Sequence, residues 1–275
     1  MAMKLSKFDI SKIEADKVIV FIGKRETGKS FLVRDLLYYN QDLPVGTVIS
    51  GTEGANQFYS KIMPSIFIHG EYSDHIISNY VSRQKKIVKA HNAEKNNYGQ
   101  SNIDPRAFII LDDCLYDPSW VRSKDIRALF MNGRHYKSMF IITMQYALGI
   151  PPNLRTNIDY VFLLRENIVS NRKRLYEQYA GMFPNFDYFQ QVMDQCTEDY
   201  ECLVIHNNAK SNKLQDQVFW YKADSHDDFQ LGHPECWKLH NANYNPDHDD
   251  SDEEFDPSSI KRKSGINITV KKTDY

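Results

Sequence analysis

The sequence predicts an α/β fold in which a mainly parallel central sheet is flanked by helices. Two observations carry that expectation. As far as residue 223, short β-branched or aromatic runs alternate with longer helical patterns, the order produced by strands joined through helical crossovers. The strand runs are also nearly all apolar rather than alternating, as required when helices cover both faces of a sheet. In chain order the expected strands are VIVFI (18–22), TVIS (47–50), IFIH (66–69), AFIILD (107–112), FIITM (140–144) and YVFLL (160–164), followed by 201–206 and 218–221. The expected helices lie between them at 29–39, 73–94, 123–132, 172–181 and 185–196. No internal repeat is visible.

Composition narrows the class. The chain has 275 residues, 41% hydrophobic and 25% charged, which matches an ordinary globular protein with one sizeable domain. Apolar runs such as 18–22, 108–111 and 139–142 are far shorter than the roughly 20 residues of a bilayer-spanning helix, so no membrane span is expected. The first residues alternate charge with single apolar side chains and do not read as a secretory signal. Four cysteines without a CxxC pair suit a reducing compartment. The net charge of −2 hides a division: residues 224–275 hold 12 acidic against 6 basic side chains, leaving +4 on residues 1–223. The expected organisation is an N-terminal arm (1–16), a folded domain (17–223) and an acidic, disordered tail (224–275).

The sharpest motif is Gly23-Lys24-Arg25-Glu26-Thr27-Gly28-Lys29-Ser30, a complete GxxxxGK[ST] that follows VIVFI and opens the helix SFLVRDLLYY. Glycines there let backbone N–H groups turn onto phosphate oxygens, the helix end adds its dipole, Lys29 reaches the β/γ-phosphates and Ser30 ligates Mg²⁺. The strand 107–112 ends in Asp112 and Asp113. Magnesium on a nucleoside triphosphate needs a carboxylate opposite the phosphates, which assigns Asp112 to the metal and Asp113 to polarising an attacking water. The two roles are open to exchange, because adjacent like charges perturb each other's protonation. A third strand, 139–144, ends at Gln145, an amide placed to sense the γ-phosphate or to hold that water.

The order GKRETGKS, FIILDDC and NGRHYKSMFIITMQYALGIPPNLRTNIDYVFLLRE resembles the FtsK–HerA superfamily of DNA-pumping ATPases, and within it the genome-packaging ATPases of nucleocytoplasmic large DNA viruses, the poxvirus type. The resemblance covers roughly residues 17–206. It implies a P-loop NTPase of the additional-strand (RecA-like/ASCE) type that uses ATP and Mg²⁺, assembles as a pentameric or hexameric homo-oligomeric ring and translocates double-stranded DNA into a viral capsid or portal. It also implies a place in the host-cell cytoplasm, at the virus assembly site, and in the virion. Arg155 and Arg134 match arginine positions that recur in the packaging family, with Arg165 nearby, and Arg155 is the first choice for completing a neighbouring subunit's site. Two departures stand out: Asp113 occupies a position where much of the superfamily has Glu, and Glu26 is an unusual acid in a phosphate loop, tolerable if it turns outward.

Other features weigh less. Arg83, Lys85, Lys86 and Lys89, with Lys95 beyond, form a basic cluster suited to DNA phosphates, although a solvated helix face is the commoner role of such a run. Arg172-Lys173-Arg174 is similar. His233, Cys236 and His240 have metal-like spacing with a doubtful fourth ligand in His226, and a loop is the better reading. The tail, with Ser251 and Lys261-Arg262-Lys263, reads equally as a solvating spacer with a phosphorylatable serine, a docking peptide or a nuclear-import signal. Rival readings of the whole chain are a small nucleoside or nucleotide kinase and a nucleotide-gated scaffold with negligible turnover.

Overall fold

The computed structural model describes residues 4–114, 118–147 and 149–243. Its strands are β1 (Val18–Ile22), β2 (Gly46–Ser50), β3 (Ile68–His69), β4 (Ala107–Asp112), β5 (Ser138–Met144), β6 (Tyr160–Leu163), β7 (Glu201–His206) and β8 (Val218–Lys222). The helices are α1 (Lys29–Tyr38), α2 (Glu53–Asn56), α3 (Asp74–Tyr98), α4 (Lys124–Asn132), α5 (Pro152–Arg155), α6 (Val169–Tyr179), α7 (Phe186–Cys196), α8 (Leu214–Gln217) and α9 (Pro234–Asn243). All eight strands form one sheet in the order β3-β2-β4-β5-β1-β6-β7-β8. The pairs from β3 to β6 are parallel, and β7 and β8 join antiparallel.

Every residue of β1, β2, β4, β5 and β6 is buried, which is why these strands read as continuous apolar runs. The alternation of the pleat splits them between two cores. Val18, Val20 and Ile22 share one core with Ile77, Leu129 and Phe189, while Ile19 and Phe21 share the other with Leu32, Leu36 and, on the adjacent strand, Phe162. The two edges are treated differently. At the β8 edge the N-terminal arm is laid down as an extra lane, with Phe8 N–H donating to Trp220 O at 2.8 Å and Trp220 N–H to Ser6 O at 3.2 Å, so an otherwise open edge is covered.

Several expected boundaries move for local reasons. The strand expected at 66–69 shortens to β3, because Ser65–Phe67 after Pro64 forms a 3₁₀ turn and only Ile68 and His69 reach β2. The helix expected from 172 begins at Val169, where the Glu166 carboxylate accepts the Ile168 N–H at 2.8 Å and anchors Asn171 at 3.1 Å. The helix expected to stop at 94 runs to Tyr98 and ends at Gly99 in the left-handed region.

The largest correction concerns the end of the domain, expected near Ala223. The chain beyond β8 folds back onto α1, where fully buried Asp35 accepts the Tyr221 hydroxyl at 2.6 Å and the Asp224 N–H at 3.2 Å and pairs with His226 Nε2 at 2.5 Å. His226 stacks on Tyr38 with ring centroids 3.7 Å apart. Phe229 and Leu231 are buried in the same core as Leu36 and Leu37. Composition misled here because two apolar side chains among acids decide the packing. Residues 244–275, with Ser251 and the Lys261-Arg262-Lys263 run, lie outside the described residues.

A chain cut after Ala223 is therefore expected to lose stability. Burial of Phe229 and Leu231 contributes about 3–6 kcal/mol together, which corresponds to a melting temperature lower by on the order of 10 °C. Thermal unfolding of the cut chain beside Leu231→Ala checks this, and an unchanged melting temperature in both would show that the segment adds nothing to the core.

Candidate functional site

The phosphate loop is shaped by what surrounds its glycines. A Cβ on Gly23 would stand 2.7 Å from both Leu164 Cβ and Thr27 Oγ1, so only glycine lets β1 turn here beside β6. Gly28 has φ 101°, a left-handed backbone that leads directly into α1. Thr27 Oγ1 donates to Lys24 O at 2.7 Å and closes the loop on itself. Lys29 Nζ donates to the carbonyls of Gly23 (2.7 Å) and Lys24 (2.9 Å). Burial pushes the Lys29 ammonium below its ordinary value, and the charges of Asp113 and Asp112 offset only part of that shift. Polyphosphate is the kind of neighbour that would restore a partly desolvated cation in this place. Arg25 and Glu26 are exposed, and Glu26 has φ 61°. Glu26 is thus solvent-exposed but still borders the cavity described below, so it is not turned away from it.

Asp112 and Asp113 arrive on β4, two strands from β1 with β5 between. Asp112 is buried and both its oxygens are engaged: Thr143 Oγ1 donates to Oδ1 at 2.6 Å and Ser50 Oγ to Oδ2 at 3.2 Å. The Asp113 N–H donates to the same Thr143 hydroxyl at 3.0 Å. Gln145 Nε2 donates a short hydrogen bond to Asp113 Oδ2. The carboxyl ends of β4 and β5 thus meet, and they bring the Gln145 amide onto Asp113. Asp113 has φ 50°. Aspartate and asparagine adopt this left-handed region several-fold more readily than most other side chains, which gives a physical reason for the shorter acid at this position. Burial pushes the neighbouring Cys114 thiol up to about 12, so it stays protonated and unreactive at neutral pH.

The loop and the two acids open onto one cavity of ≈ 830 Å³, lined by Arg25, Glu26, Gly28, Lys29, Ser30, Asp112 and Asp113 together with Phe31, Thr52, Tyr200 and residues 222–225; Gln145 is not among its lining residues and meets it only through Asp113. Its volume falls in the roughly 300–1,000 Å³ range of small-molecule sites. The donor set fits magnesium: a fixed, hydrogen-bonded carboxylate on Asp112 and the Ser30 hydroxyl are hard oxygen ligands on the same cavity.

Other expected residues lie elsewhere. Arg155 closes α5, half-buried, with its guanidinium 5.6 Å from the Tyr179 ring centroid. Arg134 is exposed in the turn before β5, at the end of the sheet away from Gln145, a strand length of roughly 20 Å. Neither is among the cavity's lining residues. The basic cluster on α3 divides. Lys85, Lys86 and Lys89 are exposed, and Lys85 and Lys89 share a groove with His135 beside Arg134. Arg83 withdraws from them: its guanidinium lies 5.0 Å from the Tyr80 ring centroid, with Nε and Nη2 buried. His233, Cys236 and His240, expected in a loop, border or belong to helix α9, and His240 Nδ1 instead meets Ser65 Oγ at 3.3 Å. Among the described residues no group of three or more His, Cys, Asp or Glu side chains is placed to hold a metal ion.

Three supporting residues, Ser50, Thr143 and Glu166, escaped the sequence reading. Ser50 and Thr143 are polar side chains inside apolar strands, a signal that was available. Lys24 pairs with Glu166 at 2.7 Å, joining the phosphate loop to the start of α6. Burial pushes the Glu166 carboxyl up, but Lys24, the Ile168 N–H and the Asn171 amide together hold it below its usual range. These partners are 142 positions apart in sequence, and no local pattern links them.

The strand order and the mainly parallel sheet flanked by helices define a P-loop NTPase fold of the additional-strand type. The chain is 41% identical over 246 residues to the uncharacterized protein L437 of Acanthamoeba polyphaga mimivirus, covering 89% of this chain and 86% of that one. It is 42% identical over 231 residues to the uncharacterized protein 075L of Invertebrate iridescent virus 6, covering 82% and 86%. It belongs to the large-DNA-virus protein family that these two represent. A solved neighbour is the genome packaging NTPase B204 of Sulfolobus turreted icosahedral virus 2 in complex with ATP-γ-S, with a TM-score of 0.50 at 15% identity over 76% of this chain and 98% of that one. No protein-family model matches the chain. No helix among the described residues is long and apolar enough to cross a membrane.

Proposed function

We propose that the chain is an ATP-hydrolysing motor that translocates viral double-stranded DNA into the capsid. The observation that carries this reading is one cavity that joins Lys29 and Ser30, at the start of α1, to Asp112 and Asp113, at the end of β4, with Gln145 hydrogen-bonded to Asp113. In it, residues 23–30 hold the triphosphate, with Lys29 on the β/γ-phosphates. Ser30 and Asp112 would hold Mg²⁺, which supplies charge neutralisation at the phosphates when bound. Asp113 accepts a proton from the attacking water, and the Gln145 amide fixes the carboxylate that does so. Arg155, or failing it Arg134, completes the site of a neighbouring subunit in a pentameric or hexameric ring; both lie away from the chain's own cavity, as a residue acting in trans must. Lys85, Lys86 and Lys89 contact the DNA backbone. Membership of a family from large DNA viruses, and a fold shared with a protein described as a genome packaging NTPase, support the viral role. The proposed place of work is the virus assembly site in the host cytoplasm, at a capsid or portal component.

Steady-state ATP hydrolysis with and without duplex DNA tests the reading. DNA is expected to stimulate turnover, and Lys29→Ala to abolish it, since removing the ammonium leaves the phosphate charge uncompensated. Hydrolysis indifferent to DNA favours a self-contained kinase, and negligible turnover a scaffold. A wild-type rate in Lys29→Ala would remove the site itself.

A further inference from the structure

Two side chains of the large cavity have no part in phosphate or metal chemistry. Phe31, directly after Ser30 in α1, is 69% exposed and Tyr200 is 66% exposed, yet both line a concave surface. Aromatic rings of this size contribute most when their faces are covered, so a pair left in water at one cavity is a platform without its load. The turn that presents Tyr200 is itself strained. Asp199 (φ 47°) and Tyr200 (φ 65°) are consecutive left-handed residues, neither of them glycine. Such strain persists where the surroundings over-determine it, and it gathers at ligand-contacting sites. Tyr200 also lies against the phosphate loop, since a Cβ on Gly28 would stand 3.4 Å from its Cδ1. The cavity continues past these rings to Lys222, Ala223, Asp224 and Ser225, the segment that the Asp35 contacts hold against α1.

We propose that Phe31 and Tyr200 form the base subsite, stacking on the nucleobase of a nucleoside triphosphate whose phosphates lie in the adjoining loop. This rests on the nucleotide reading above and adds the part of the ligand that the sequence motif leaves unassigned. Stacking engages the π-face that every base presents, so these two residues supply affinity with little choice among bases.

Calorimetric titration of the full chain with Mg²⁺ and either AMP-PNP or inorganic tripolyphosphate separates the two parts of the site. Tyr200→Ala is expected to weaken AMP-PNP about tenfold, near the lower end of what stacking on an aromatic contributes, and to leave tripolyphosphate unchanged. Tyr200→Phe should bind both like wild type. Phe31→Ala should repeat the selective loss, and it keeps the test decisive if Tyr200→Ala disturbs its own turn. Unchanged AMP-PNP affinity in both alanine variants, or equal losses of both ligands in both, would overturn the base subsite. So would a wild type that binds tripolyphosphate as tightly as AMP-PNP. A wild type that binds neither ligand overturns the nucleotide reading and this inference with it.

Discussion

Arg155→Ala subunits are expected to bind ATP with wild-type affinity and to hydrolyse it about 10³–10⁵-fold more slowly, the range an arginine supplied across a subunit boundary contributes to phosphoryl transfer. The guanidinium offers a planar fork of donors to charge developing on the transferring group, a geometry no other side chain reproduces. Arg155 sits at the end of α5 and not on its own chain's cavity, so its loss should leave that chain's nucleotide contacts intact. Mixed assemblies make the result diagnostic. Where Lys29→Ala and Arg155→Ala subunits share a ring, some interfaces join an intact phosphate loop to an intact arginine, and part of the activity should return. With a loss this large, even sparse rescue rises above background. Mixed rings that form without rescue transfer the role to Arg134, to be tested in the same way.

Asp113→Asn should retain Mg²⁺-ATP and lose about 10²–10⁴ in turnover, the usual contribution of a positioned general base. The substitution is a clean one. Asparagine accepts the left-handed backbone at φ 50° as readily as aspartate does, and its amide still reaches Gln145, so the main change is loss of the proton acceptor. Asp112→Asn should behave differently. Its carboxylate is fixed from both sides by Thr143 and Ser50, and exchange of one oxygen for an amide nitrogen deprives one of these hydroxyls of its acceptor while removing a magnesium ligand. Metal-dependent nucleotide affinity should fall with it. Should Asp112→Asn bind normally without hydrolysis while Asp113→Asn turns over, the two roles are reversed.

The strands and the phosphate loop were legible in the sequence because each is written in consecutive residues: VIVFI before GKRETGKS, FIILD before Asp113, IITM before Gln145. Their meeting in space follows from right-handed parallel crossovers, which bring the carboxyl ends of such strands to one edge. What stayed hidden depends on partners far apart along the chain. Nothing local links Lys24 to Glu166, or Tyr200 to Gly28. The same holds for the segment after Ala223, whose acids announce a solvated tail while Phe229, Leu231 and the Asp35 contacts fix it to α1. Arg83 belongs to the helical basic run by spacing alone; rotation about α3 turns it toward Tyr80 and away from Lys85 and Lys89.

The position of β1 governs the order in which this protein can be made. It is an interior lane of the sheet, yet its neighbours are β5 and β6, with Val18 opposite Phe140 and Ile19 opposite Tyr160. A nascent chain therefore carries its first strand unpaired until β5 has been synthesised, and paired on one side only until β6 follows. Pairings of such long sequence separation are slow to form, and an apolar strand waiting for them is exposed to aggregation in the meantime. The phosphate loop waits with it, since the Gly23 N–H finds its acceptor only on Met144, at 3.0 Å, and Ile22 O its donor on Leu164, at 2.9 Å. A ribosome stalled before β5 has already translated the whole GKRETGKS motif and holds a chain in which the lanes that frame it on either side do not yet exist.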